Sequence, residues 1–184
     1  ELPFFINLPE DIISDLLQHA QVSEYKKGKL LFLEGEMSSR LYFILSGWVK
    51  LFKGTSSGEE TVLQMLSSGD MVAESAVFLN ASYPVSAQVA KNAVVLTLPA
   101  PIIREKIKQQ NELALRVLTG MSQHSQNLIQ EFENIRLKPA TERVGWFLLK
   151  LLLDQGKVPD LIELPYDKSL IASYLDMKPE TFSR

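Results

Sequence analysis

A chain of 184 residues with 46% hydrophobic and 22% charged side chains has enough apolar material for a buried core, so it is no disordered tail and has room for two small domains. Its 22 acidic and 19 basic residues leave a formal net charge of -3, which excludes a broadly basic coat for nucleic acid, and no apolar run reaches the roughly 18 residues of a membrane span. The lack of cysteine excludes disulfides, thiolate zinc sites, thiol redox sensing and a cysteine-held iron–sulfur cluster within these residues, which fits a cytoplasmic protein with no membrane partner.

In chain order, residues 9–18 open with proline and acids and carry apolar positions at helical spacing, which predicts a helix. From Val22 to Leu98 the pattern changes to short apolar or alternating runs: Lys29–Leu33, Leu41–Leu45, Trp48–Phe52, Thr61–Leu66, Val85–Val89 and Ala93–Leu98. Glycines 28, 35, 47, 54, 58 and 69 punctuate them, the signature of an antiparallel roll or sandwich that closes on itself and can hold a small ligand. Pro99-Ala100-Pro101 ends the β region, and a short helix over Pro101–Gln110 follows.

A long helix without internal proline then runs from Asn111 to about Leu137, about 40 Å at 1.5 Å per residue. Leu118, Met121, Ser125, Leu128, Phe132 and Ile135 recur on it in alternating steps of three and four. That is the seam of a two-helix coiled coil and predicts a homodimer; packing on its own domain is the alternative. Pro139 stops this helix, Lys138-Pro139-Ala140-Thr141 forms a hinge, and Pro139 or Thr141 starts a helix to Gln155 with Gly156 as C-cap. Leu161–Leu164 reads as a short strand closed by Pro165, and Asp167 as the N-cap of a final pair of helices.

That final pair carries the chemistry. The stretch Asp167–Met177 reads as the first helix and a tight turn, with small Ala172 where the second helix crosses it, and Asp176 takes the turn position that needs tolerance of positive φ. Ile171, Leu175, Met177 and Phe182 lock the two together, and Pro179 opens the second helix, whose amides can meet a phosphate. Arg184 suits bidentate contact with guanine, Glu180 can accept from the cytosine amino group, and Ser183 can bond a base edge. The same string also fits an ordinary capped surface helix; the preceding helix and turn favour double-stranded DNA as partner. The charge leans the same way, since residues 1–100 hold 11 acidic and 7 basic side chains and residues 101–184 hold 11 and 12. No nucleophile–base pair or metal-spaced histidines appear, and Gly54-Thr55-Ser56-Ser57-Gly58 lacks the lysine of a P-loop, so no enzyme is expected.

The order of parts resembles the CRP/FNR superfamily of bacterial transcription regulators. Gly35, Gly47, the cassette start Gly69-Asp70-Met71-Val72-Ala73-Glu74, Thr141-Glu142-Arg143 and Glu180-Thr181-x-Ser183-Arg184 carry the likeness. It implies an α+β fold in three parts. Residues 1–110 would be a jelly-roll effector-sensing domain, residues 111–137 a coiled-coil dimerisation helix, and residues 138–184 a winged helix-turn-helix cut short at Arg184, so a longer protein is expected. Glu180, Ser183 and Arg184 carry over as base readers of a palindromic TTGAT-type operator, with Thr181 on phosphate. Lys178 replaces the usual Ser or Thr and is expected on phosphate too. RNA polymerase is a further implied partner, and activation the implied outcome.

The departures bear on the signal. Cyclic-nucleotide binders of the family place an Arg ten residues after the cassette Glu, where Pro84 stands here, and turn Ser or Thr from the long helix where Leu128 and Ile129 stand. A cyclic phosphate would lose its counter-charge and the purine its hydrogen bonds, so cyclic AMP is not expected. The chain looks most like the DNR-type branch, which implies haem and nitric oxide as a possible signal. The expected pocket gathers Glu74, Ser75, Tyr83, Ser86, Leu128 and Ile129. Glu74 fits an effector contact or, preferred, a structural carboxylate. His19 and His124 are the histidines available as haem ligands, with His124 the candidate, and both also fit ordinary surface or interface roles. A constitutive regulator with a vestigial sensor domain is the alternative, and a cyclic-nucleotide-responsive one a more distant alternative.

Overall fold

The computed structural model describes residues 2–6, 8–54, 60–154, 164 and 167–183. A 3-10 turn (Pro3–Phe5) and helix α1 (Glu10–Gln18) lead into strands β1 (Gln21–Tyr25), β2 (Leu30–Phe32), β3 (Arg40–Gly54), β4 (Glu60–Leu66) and β5 (Met71–Val72). Helix α2 (Glu74–Leu79) and strand β6 (Ser86–Pro99) complete the β region. Among the described residues the helices that follow are α3 (Ala100–Gln109), α4 (Asn111–Arg136), α5 (Ala140–Asp154), α6 (Lys168–Tyr174) and the short α7 (Pro179–Ser183). The strands form one antiparallel sheet in the order β1-β6-β3-β4, with β2 on β6 and β5 on β3.

Two of the expected turns are bends inside continuous strands. Leu41–Leu45 and Trp48–Phe52 are one strand, β3, and Val85–Val89 and Ala93–Leu98 fall largely on one strand, β6. They pair from Arg40↔Pro99 to Phe52↔Ser86, with register shifts between Ile44 and Val49. Gly47 sits in that stretch at φ +86°, and a Cβ there would meet the Asn92 carbonyl oxygen at 2.2 Å and the Ala93 Cα at 2.6 Å. The bulged strand therefore bends where only glycine lets the two backbones approach, and the ladder continues through the bend.

Strand alternation sorts the core into layers. Tyr42 and Ile44 face inward with Phe32, Val49, Leu66 and Val89, while their neighbours Leu41 and Phe43 face outward under Leu16, Ile103, Leu113 and Val117 of α1, α3 and α4. A third cluster joins the sheet to the C-terminal helices: Val62, Met65 and Ala90 pack with Phe147 and Leu151 of α5 and with Ile171, Tyr174 and Leu175. Helix α3 ends at Gln110, whose extended backbone (φ −131°, ψ 106°) separates it from α4. No helix among the described residues is long and apolar enough to cross a membrane.

The predicted helices at residues 9–18, 101–110, 111–137 and from Pro139 or Thr141 onward match α1, α3, α4 and α5 within a residue or two at the ends that are described. Helix α2 was not expected. Gln155, Gly156 and most of the Leu161–Leu164 strand lie outside the described residues; Leu164 itself packs against the third cluster. Asp167 occupies the N-cap of α6, but its carboxylate makes no cap hydrogen bond; it pairs instead with the Lys27 ammonium at 3.4 Å.

Candidate nucleic-acid interface and cavity

Helix α6 is buried on one side through Ile171, Ala172 and Tyr174, with Leu175 fully buried at its end. The chain then turns sharply. Asp176 lies in the left-handed region at φ +52°, its amide donates to the Ser173 carbonyl (3.2 Å), and the Met177 amide donates to the Ala172 carbonyl (3.0 Å). This is the positive-φ helix ending that the sequence pattern placed at Asp176. Arg143 of α5 closes it from outside the pair: its Nη1 donates to the Leu175 carbonyl at 2.7 Å and the Asp176 carbonyl at 2.9 Å. Arg136, in the last turn of α4, holds the Asp176 carboxylate at 2.5 Å.

From that turn α7 projects Lys178, Glu180, Thr181 and Ser183 into solvent, while Phe182 turns back toward the third cluster. The Thr181 and Phe182 amides donate to the Lys178 carbonyl at 2.9 and 3.2 Å. Arg184 lies outside the described residues. A second tie sets α5 and α6 against α4: Lys150 pairs with Glu131, and the Tyr174 hydroxyl donates to the same Glu131 carboxylate at 3.2 Å. The clamp by Arg143 and the tie through Glu131 were not foreseen, although Thr141-Glu142-Arg143 had marked the segment.

A cavity of ≈ 200 Å³ lies between the roll and α4. Phe32, Leu66, Met71 and Val85 give it apolar walls; Glu74, Ser75, Tyr83 and Leu128 of the expected pocket also line it. Ser86 and Ile129 do not: Ser86 is buried and accepts the Glu34 amide at 3.0 Å, and Ile129 is 58% exposed. Tyr83 contributes its ring, stacked on Phe32 with centroids 3.9 Å apart. Its hydroxyl is engaged elsewhere, accepting the Ser39 and Arg40 amides at 3.2 and 3.3 Å and donating to the Arg40 carbonyl at 3.2 Å.

Glu74 opens α2, after Ala73 at φ +73°, and is 9% exposed. Its Oε1 lies 3.7 Å from His124 Nε2 on α4, so the pair bridges the roll and the long helix across the cavity. Burial pushes the Glu74 carboxyl above the ordinary carboxylate range, and the facing imidazole opposes that shift. Among the described residues no Lys or Arg lines this cavity, and Pro84 does. A haem does not fit it: ligand pockets run upward from about 300 Å³, and the histidine in the wall already faces a carboxylate. His19 caps the end of α1, away from the cavity walls. Among the described residues no group of three His, Asp or Glu side chains is arranged to hold a metal ion.

The expected seam of α4 divides. Leu118, Leu128 and Phe132 are exposed by 60%, 42% and 62%, and Ser125 is exposed beside them. Met121 packs half-buried against the roll, and Ile135 against the third cluster. Leu115 and Ile129, at 64% and 58% exposure, extend the open face instead, at the three- and four-residue steps that join 115, 118, 122, 125, 129 and 132.

The cyclic nucleotide-binding domain family matches residues 22–110. The transcriptional activator protein Anr of Pseudomonas protegens is 28% identical over 187 aligned residues, spanning 100% of this chain and 75% of Anr. A regulatory protein of Silicibacter pomeroyi DSS-3, described as a candidate cAMP binder, is 34% identical, with a TM-score of 0.70 over 96% of this chain and 78% of that one. DNR of Pseudomonas aeruginosa is 29% identical, with a TM-score of 0.61 over 99% of this chain and 81% of that one. With the antiparallel roll and long helix already described, these likenesses place the chain in the CRP/FNR superfamily of transcription regulators, with a cyclic nucleotide-binding-like domain.

Proposed function

We propose that this chain is a homodimeric, effector-gated regulator that binds a near-palindromic operator of the TTGAT type. In this reading residues 1–110 sense, residues 111–137 dimerise, and residues 138–184 form a winged helix-turn-helix. The observation that carries it is the α6–turn–α7 unit, buried on one side, clamped by Arg143, and presenting Lys178, Glu180, Thr181 and Ser183 to solvent. Glu180 and Ser183, with Arg184, read base edges; Lys178 and Thr181 meet phosphates. A twofold dimer through the open face of α4 sets two such helices 34–36 Å apart, about one DNA turn, which is why the operator is a near-palindrome. Relatives named as transcriptional activators support activation through RNA polymerase.

The cavity under Glu74 and His124 is the effector site in this proposal, and its ligand is not cyclic AMP, because among the described residues no Lys or Arg lines it. Fluorescence anisotropy with a labelled TTGAT palindrome and a scrambled duplex tests the DNA reading. Arg184→Ala and Glu180→Ala should each cost about 1–3 kcal/mol on the palindrome and relax selectivity at one base pair. Unchanged affinity and selectivity in both variants would remove the recognition-helix assignment.

A constitutive regulator is the second reading, and one observation favours it: the two ionisable groups in the cavity already face each other. An absorption spectrum with and without added haem, and anisotropy under the same conditions, tests it together with the haem signal. DNA affinity indifferent to every added ligand supports the constitutive reading.

A further inference from the structure

The cavity between the roll and α4 has a size, a wall composition and a charge that together define a ligand class. At ≈ 200 Å³ it is slightly larger than an apolar cavity of about 150 Å³, which takes up benzene, and well short of the space a nucleotide or a porphyrin needs. One six-membered ring with a small substituent fills it. The walls suit a ring: Phe32 and Tyr83 stack on one side, and Leu66, Met71, Val85 and Leu128 supply aliphatic and thioether surface.

The polar side chains of the wall are few: Glu74, His124, Gln64 and Ser75. Glu74 and His124 face each other at 3.7 Å, beyond direct hydrogen-bond reach, so a ligand hydroxyl lying to the cavity side of the line joining them can reach both the carboxylate and the imidazole. An anionic ligand would enter beside a buried carboxylate with no Lys or Arg in the walls, and its desolvation would go uncompensated. A cationic ligand would compete with His124 for the same carboxylate. An uncharged ring carrying one hydroxyl meets neither obstacle.

We infer that this cavity binds a small uncharged aromatic alcohol of the phenol class, with its hydroxyl bridging Glu74 and His124 from the cavity side. The inference rests on the reading of the cavity as an effector site and deepens it. Binding also links α2 to α4 through one ligand oxygen, since Glu74 belongs to the first and His124 to the second.

The test uses the full chain, with phenol as probe and benzoate and cyclic AMP as charged comparisons, read by isothermal calorimetry and thermal melting. Phenol should bind one per chain and raise the melting temperature, while benzoate and cyclic AMP bind at least about tenfold more weakly. Leu128→Trp fills the cavity from a position 42% exposed, where the larger ring is tolerated, and should lower phenol affinity at least about tenfold. Glu74→Gln removes the carboxylate and should narrow the gap between benzoate and phenol; melting curves of both variants without ligand report their fold. The inference is overturned if phenol does not bind, if Leu128→Trp leaves its affinity unchanged, or if benzoate binds as tightly as phenol to the unaltered chain. Phenol binding that meets these criteria but leaves DNA affinity unchanged supports the ligand class and overturns the effector-gated reading.

Discussion

Arg143→Ala tests whether the geometry of α7 depends on a residue far from it in sequence. The guanidinium makes two hydrogen bonds to main-chain carbonyls in the turn, at 2.7 and 2.9 Å. A hydrogen bond to a charged group contributes about 1.5–3 kcal/mol. The Leu175 carbonyl belongs to a fully buried residue and loses its charged donor when Arg143 is removed; Asp176 is exposed, so water replaces most of the second bond. The expected loss is therefore about 2–3 kcal/mol, near the value of one bond and part of another. At 1.4 kcal/mol per tenfold, the ratio of folded to unfolded chains falls by about 30- to 140-fold. Urea unfolding measures the stability loss, and anisotropy on the palindrome measures what reaches the DNA. Arg143→Lys keeps the charge without the planar fork and should recover only part of either. A stability change below about 0.5 kcal/mol with unchanged DNA affinity would refute the clamp.

Three other outcomes follow from named contacts. Gly47→Ala should destabilise by about 2–5 kcal/mol, combining left-handed strain of about 1–2 with overpacking of about 1–3, because the new methyl meets Asn92 oxygen at 2.2 Å; a urea midpoint within error of the parent would refute it. Glu74 is raised in the folded chain, so folding takes up protons and stability falls as pH rises from the ordinary 4.5 through the raised value; Glu74→Gln should flatten that slope, and parallel slopes in the two proteins would refute the assignment. Phe132→Glu places a charge on the open face of α4, 62% exposed in the single chain; sedimentation should show a dimer for the parent and a shift toward monomer for the variant, and a monomeric parent would remove the proposed seam.

Much of this architecture is legible from residue pattern because it is written in local signals. Proline at position 139, the periodicity of residues 111–137 and the small polar turn at Asp176 each act within a few residues, and α4, α5 and the φ of +52° follow from them. Gly47 misled because a glycine marks a need for freedom without saying whether the chain reverses or merely bends. Helix α2 is six residues long and follows Ala73 rather than a capping side chain, so neither periodicity nor a cap announces it. The Arg143 clamp and the Glu74–His124 pair join residues 32 to 50 positions apart, and no local rule reaches that far. The stripe on α4 was ambiguous for a related reason: helical spacing finds an apolar face but cannot tell a partner chain from the roll, which takes Met121.

The third hydrophobic cluster has a consequence for interchangeability. Val62, Met65 and Ala90 on the roll and Phe147, Leu151, Ile171 and Tyr174 on the C-terminal helices bury one another. A chimera that grafts a relative's C-terminal helices onto this roll must match those three roll side chains in shape as well as join at Lys138-Pro139. Otherwise it leaves an apolar face open on each half. Each of the three is buried in that seam, so a change of volume there is felt by the grafted helices. The two lobes are thus complementary castings, and exchange between relatives is limited by that seam more than by the hinge.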